Sequence, residues 1–202
     1  MNKLLICVCE NMAPEISVIL NEDQESDIEL EVLPCLCLSK EKMEMLGQQL
    51  GRAAQKQADR LLVCSNSCGL LKQVPQVLAK FEIIMNVSCF SHLIPAQLLE
   101  SITQKGGYVI SAGWLKKWRE NLASAGFDSN TARSFFGEFC TEVVMLDSEL
   151  VRNLQTELQS LSSYLNLPCR IIPVESERLR AFLHKQILEW RFRQKKLNLM
   201  KL

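Results

Sequence analysis

The chain is expected to adopt an α/β fold: a three-layer, mostly parallel sheet flanked by helices, with a long C-terminal helix. Three observations predict it. Short apolar runs recur along the chain and alternate with longer segments of helical period, the pattern of a parallel sheet built from βαβ units. The chain has 202 residues and is 48% hydrophobic, enough for a large core. Its last segment, residues 175–202, keeps helical periodicity throughout.

Taken in order, Leu4–Cys9 is a continuous apolar run and reads as a buried strand, after which Met12, Ile16, Ile19 and Leu20 fall at helical spacing. Residues 21–27 are polar and read as a loop. Ile28–Leu33 alternates apolar with acidic residues before Pro34, as a half-exposed edge strand does. Ser39 is placed to cap a helix with Met43, Leu46, Leu50 and Ala53 on one face and Glu41, Glu44, Gln48 and Arg52 on the other. Residues 61–64 form the next buried run, which breaks into the polar loop Ser65-Asn66-Ser67-Cys68-Gly69. A helix carrying Leu70, Leu71, Val74 and Val77 follows, with Pro75 near its start or at a kink. The fourth strand, 82–87, ends in Ser88-Cys89-Phe90-Ser91-His92. Residues 95–103 read as helix, Gly106-Gly107 as a turn and 108–111 as the fifth strand. Trp114 and Trp118 lie four apart on the helix after it, which stops near Gly126. A short helix at 131–140, a strand at 142–146, a helix at 148–165 and a last strand at 169–174 complete the alternation.

In the final helix, Glu175 and Glu177 stand at the start while Arg191, Arg193, Lys195, Lys196 and Lys201 crowd the end, matching the helix dipole. Leu183, Ile187, Trp190 and Leu197 follow one heptad step, and Leu188, Phe192, Leu199 and Leu202 a second. Two apolar seams exceed what one domain surface needs. A homodimer through this helix is therefore expected, broken by charges at Ile187 and Trp190. The pattern reaches the last residue without a cap, so 1–174 is read as an α/β ligand- or metal-binding sensory domain and 175–202 as a signalling or coiled-coil linker.

Formal net charge is zero, so no basic field points to nucleic acid. The apolar start is too short for a secretory leader, and no stretch approaches the roughly 20 apolar residues of a membrane span. A cytoplasmic location is expected. The nine cysteines, at positions 7, 9, 35, 37, 64, 68, 89, 140 and 169, are an odd set with no export signal, which disfavours a disulfide scaffold. There is no GxGxxG, Walker loop, GxSxG elbow, HExxH or kinase signature.

In a parallel sheet the ends of the first four strands bring Cys9, Cys37, Cys64 with Cys68, and Cys89 toward one edge, where ligands gather. Four thiolates from separate loops can close a tetrahedral site for zinc or an iron-sulfur cluster. Cys68, at a helix start, would face the positive end of the dipole, which favours thiolate. Cys7, Cys140 and Cys169 read as core fillers, and Cys35 and Cys64 stand between these and the strand-end set. His92, three residues after Cys89, could be a ligand, but it and His184 on the final helix read better as ordinary packed or surface histidines. Trp114 and Trp118 could stack on a flat cofactor but read better as core.

The order Cys9, Leu36-Cys37, Ser67-Cys68-Gly69, Cys89 and then Gly-Gly-Tyr-Val-Ile-Ser-Ala-Gly-Trp-Leu from Gly106 resembles a cysteine-rich domain family of unknown function. That family occurs in anaerobic bacteria and methanogens, often near corrinoid methyltransferase genes. The resemblance covers residues 4–147. It implies Cys9, Cys37, Cys68 and Cys89 as the metal-ligand set, with Gly113 and Trp114 shaping the cofactor-binding mouth, and it leaves Cys64 outside. Cys37 stands where relatives have histidine, which makes the site all-sulfur. Some relatives stand at the front of larger signalling proteins. The expected function is thus a cytoplasmic sensory input domain, of the sensor histidine kinase type, binding a metal, iron-sulfur cluster or other small-molecule cofactor. The alternatives are a corrinoid or methyl-transfer protein with a reactive or metal-ligating Cys68, and a plain interaction domain without a site.

Overall fold

The computed structural model describes residues 3–35, 42–65, 68, 75–86 and 88–200. It is an α/β fold in which every strand ladder is parallel, flanked by helices and closed by a long C-terminal helix. The strands are β1 (Leu4–Cys9), β2 (Ile28–Leu33), β3 (Asp59–Ser65), β4 (Glu82–Asn86), β5 (Gly107–Ile110), β6 (Glu142–Asp147) and β7 (Cys169–Pro173). They divide between two ladders, β2-β1-β3-β4 and β5-β6-β7. The helices described are α1 (Ala13–Glu22), α2 (Lys42–Ala53), α3 (Pro75–Leu78), α4 (Ala96–Gln104), α5 (Ala112–Lys116), α6 (Trp118–Ser124), α7 (Ser129–Phe139), α8 (Gln155–Leu165) and α9 (Glu177–Leu199).

Strand alternation explains how two ladders share one interior. Leu5 and Cys7 of β1 turn to a core with Leu46, Leu50 and Ala53 of α2. Leu4, Ile6 and Val8 turn the other way, into a core with Ile16 and Ile19 of α1, Ile102 of α4 and Leu179, Leu183, Ile187 and Trp190 of α9. Val144 and Leu146 of β6 enter that same core, while Val143 and Met145 point into a third, lined by α5 to α8. Helices α1, α4 and α9 therefore share the middle core with one face of each ladder. β2 lies at an edge, and its acidic residues are met by lysines: Lys3 Nζ lies 2.6 Å from Glu29 and Lys56 Nζ 2.8 Å from Glu31.

α9 runs antiparallel to the strands of the first ladder. Its first turns lie by the carboxyl ends of β1, β3 and β4. Its later turns reach the opposite edge, where Trp190 Nε1 donates to Asp59 Oδ2 at 2.8 Å and Arg193 meets Glu82 at 2.5 Å. Arg191 there pairs with Asp27 at 2.5 Å and with Glu25. Of one expected seam of the helix, Leu183, Ile187 and Trp190 are thus spent inside the molecule while Leu197 is exposed, and Leu188 and Phe192 of the second are 62% and 71% exposed.

Two expected helices begin or run differently. The helix expected from 148 starts at Gln155, because Glu149 and Asn153 hold positive φ angles of 60° and 63°, which interrupt helical backbone. The helix carrying both tryptophans breaks at Lys117, which caps α5 and opens α6 with a φ of −119°. No helix among the described residues is long and apolar enough to cross a membrane.

Candidate functional site at the strand ends

A small cavity of about 40 Å³ lies beyond the carboxyl ends of β1, β3 and β4, space for only a few water molecules. β1 supplies Cys9, β3 supplies Cys64 and Ser65, and the turn after β3 supplies Cys68. Asn86 comes from the end of β4, and Cys89 and His92 from the loop after it. Met12 and Ile16 of α1 and Leu179 and Phe182 of α9 form the apolar side.

Local sequence explains how these side chains are presented. The Cys68 backbone N–H donates to the Ser65 carbonyl at 2.9 Å, which holds Cys68 close to the end of β3. The loop after β4 is braced by its own serines: the Ser88 N–H donates to Ser91 Oγ at 3.0 Å and the Phe90 N–H to Ser88 Oγ at 3.2 Å. This bracing carries Cys89 and His92 over the strand ends. The His92 ring lies on Phe182, with centroids 3.8 Å apart and planes 26° from parallel.

The electrostatics favour neutral groups. Burial pushes the Cys64 thiol up to about 11, and the nearby Cys68 and Cys89 thiols add to this. Burial also raises Cys89, although the Ser65 hydroxyl, 3.6 Å from its sulfur, pulls the other way. Burial, reinforced by Arg178, lowers His92 to about 4, and its Nε2 is buried with no hydrogen-bond partner among the described residues. At neutral pH, then, Cys64, Cys89 and His92 are uncharged. Among the described residues, no group of three or more His, Cys, Asp or Glu side chains is arranged to hold a metal ion.

Beside the cavity, Glu10 ties the loops together. It accepts from the Cys35 N–H at 2.8 Å, from Lys117 at 2.9 Å and from Lys42 at 3.3 Å, and Lys42 also donates to Asn121 at 3.1 Å. Burial alone would raise the Glu10 pKa, but the Cys35 N–H and the two lysines together bring it below the usual range. One carboxylate so joins the ends of β1 and β2 to α2 and to the α5–α6 corner.

Of the expected ligand set, Cys9, Cys68 and Cys89 meet at this cavity, and Cys37 lies outside the described residues. Cys64, which the family pattern leaves out, lines the cavity as well. Cys35 turns toward the Glu10 cluster, its sulfur accepting from Asn11 Nδ2 at 3.2 Å. Cys7 is fully buried, with its pKa raised by burial to about 12, and Cys140 and Cys169 pack against the third core, as fillers do. Gly113 and Trp114 are not on the cavity wall. Trp114 is buried in the third core, edge-on to Tyr108 at 5.6 Å, and Gly113 abuts the backbone after Cys9. Sequence reasoning left the part of His92 open and missed Leu179 and Phe182. His92 was signalled only by standing three residues after Cys89, and the α9 residues reach the cavity through long-range packing that local periodicity does not encode.

No family model and no curated protein matches the chain. Among solved structures, one described as a probable GTP-binding protein engB is 13% identical, with 92% of this chain and 97% of that chain covered and a TM-score of 0.28.

Proposed function

We propose that this chain is a sensory input module whose strand-end cavity takes a thiophilic metal ion through its cysteines, with α9 as the element that passes occupancy on. The observation that carries this reading is the convergence of Cys9, Cys64, Cys68 and Cys89, from three strand ends, on one cavity that α9 helps to wall. Thiol sulfur suits zinc or iron-sulfur chemistry. A cavity of about 40 Å³ fits a single ion better than a corrinoid or another large cofactor. Burial raises the Cys64 thiol pKa, which speaks against a standing reactive thiolate at that position. Ligand binding would draw the thiols together, since no ready metal site stands among the described residues. A sensor that changes shape on binding requires such a rearrangement.

The setting proposed is a cytoplasmic, reducing one, as part of a signalling protein of the histidine kinase type. There the exposed Leu188, Phe192 and Leu199 of α9 would pair with a second copy. Metal analysis of protein purified without oxygen tests the central claim. Near-stoichiometric zinc or iron, lost when Cys64, Cys68 and Cys89 are changed together to Ser, is the expected result. Absence of any bound metal, with no metal taken up on titration, overturns it.

A further inference from the structure

The cavity has one wall that no strand end supplies, and it is made by the helix that ends the chain. Leu179 and Phe182 of α9 face the same space as the strand-end cysteines, and the Phe182 ring covers the His92 imidazole at 3.8 Å. His92 Nε2 is buried with no hydrogen-bond partner among the described residues. A buried ring nitrogen in that state is costly, and the cavity that His92 lines is made of four cysteines, apolar side chains, Ser65 and Asn86, with the Arg178 charge acting on the ring.

We propose that His92 Nε2 is the nitrogen ligand of a borderline-soft divalent cation of the zinc class, held together with strand-end thiolates, and that α9 registers its occupancy through Phe182. This rests on the reading of the cavity as a metal-sensing site. Mixed sulfur and imidazole sets are the common tetrahedral environment for such ions. No change of oxidation state is involved: each ligating thiol gives its proton to solvent, and sulfur and imidazole lone pairs fill the ion's coordination sphere. The described side chains do not stand as a ready group of ligands, so binding moves the imidazole. The ring stacked on it then moves too, or loses its contact. α9 is held at its far end by Trp190 on Asp59 and by Arg191 on Asp27, so a shift at Phe182 is felt along the helix between two fixed regions.

Cobalt(II) added to the full chain under anaerobic, reducing conditions is the probe. X-ray absorption of the wild-type complex is expected to show sulfur ligands and one imidazole. The imidazole should persist in His184→Ala, since the other histidine is exposed on α9 beside Asp23, and vanish in His92→Phe, which keeps an aromatic ring against Phe182. Affinity should fall at least about tenfold in His92→Phe. Hydrogen exchange over residues 177–186 should slow roughly threefold or more on cobalt binding in the wild type, and much less in Phe182→Leu. Bound cobalt without imidazole in the wild type overturns the assignment of His92 even if no variant folds. Bound cobalt that leaves exchange over 177–186 unchanged overturns the coupling to α9. A wild-type chain that binds no cobalt and no zinc overturns the metal reading itself, and this proposal with it.

Discussion

Glu15 is fully buried in the first turn of α1, and neither of its carboxylate oxygens has a hydrogen-bond partner of good geometry among the described residues. Burial pushes its pKa to about 7; the backbone N–H groups of Glu15 and Ala112 and the charge of Lys116 oppose this only in part, and Asp147 adds to it. The folded value thus lies above the unfolded one, so between about pH 4.5 and 7 the folded chain keeps a proton that the unfolded chain gives up. Stability is full below that window, falls through it and levels off above it. Glu15→Gln should flatten this slope and raise stability at pH 8 by up to an order of 3 kcal/mol. Urea midpoints at pH 5 and pH 8 check it, and parallel profiles for the two proteins would refute it. Gly113 works by contact. A Cβ there would meet the Glu10 carbonyl oxygen at 2.4 Å and that of Asn11 at 2.6 Å, and backbone cannot rotate away. Gly113→Ala should cost about 1–3 kcal/mol and disturb the turn that follows Cys9. Gly137 of α7 has open space around its Cβ direction, so Gly137→Ala should instead stabilise by about 0.5–1 kcal/mol. Thermal melts of the pair make the comparison. Neither effect could be read from the sequence, where Glu15 is one polar letter in a helix and Gly113 one small residue after a strand.

At the scale of elements the sequence was far more legible. Each strand is expected within a residue or two of its place, β3 beginning two residues early at Asp59, because apolar runs bounded by Pro, Gly and polar clusters leave little choice. The division of the strands between two ladders was not legible, since pairing is decided by contacts far apart in the chain. The two seams of α9 were visible, but not which of them faces inward. Ile187 and Trp190, the positions at which charge was expected to break a dimer, are buried in the chain's own core, so charge there would damage the fold. The test belongs at the exposed pair instead. Leu188→Glu with Phe192→Glu should leave the circular dichroism and melting temperature nearly unchanged while converting a dimer to a monomer in light scattering. A wild type that is monomeric at high concentration would refute the pairing. The same geometry ties the helix to its own domain: Arg191→Ala removes its pairs with Asp27 and Glu25 and should cost about 1 kcal/mol, less at high salt.

For the whole molecule, the site is a meeting of loops that lie far apart in sequence. Cys9 could be picked out because it closes an apolar run, and Cys68 and Cys89 because they stand in the polar loops that follow two others. Cys64 was harder to rank because it is part of such a run, and Phe182 could not be placed without the fold. The neutral state of the buried thiols has a consequence for binding. With Cys64 raised to about 11, a metal bound as proposed would have to displace its proton, so apparent affinity should climb by about tenfold per pH unit for each thiol that ligates, between pH 6 and 8. Competition titrations with a chromophoric chelator across that range measure the slope, and a flat profile would show that no protonated thiol is recruited. The placement of α9 also bears on how the chain is made. Leu179, Leu183, Ile187 and Trp190 share a core with Leu4, Ile6 and Val8, nearly the whole chain length away. On the ribosome, the first strand therefore waits for the last helix to emerge before its inner face is sealed, and in that interval it is exposed to chaperones and proteases. A chain ended at residue 174 should stay in that nascent condition, binding hydrophobic dye and melting without a sharp transition.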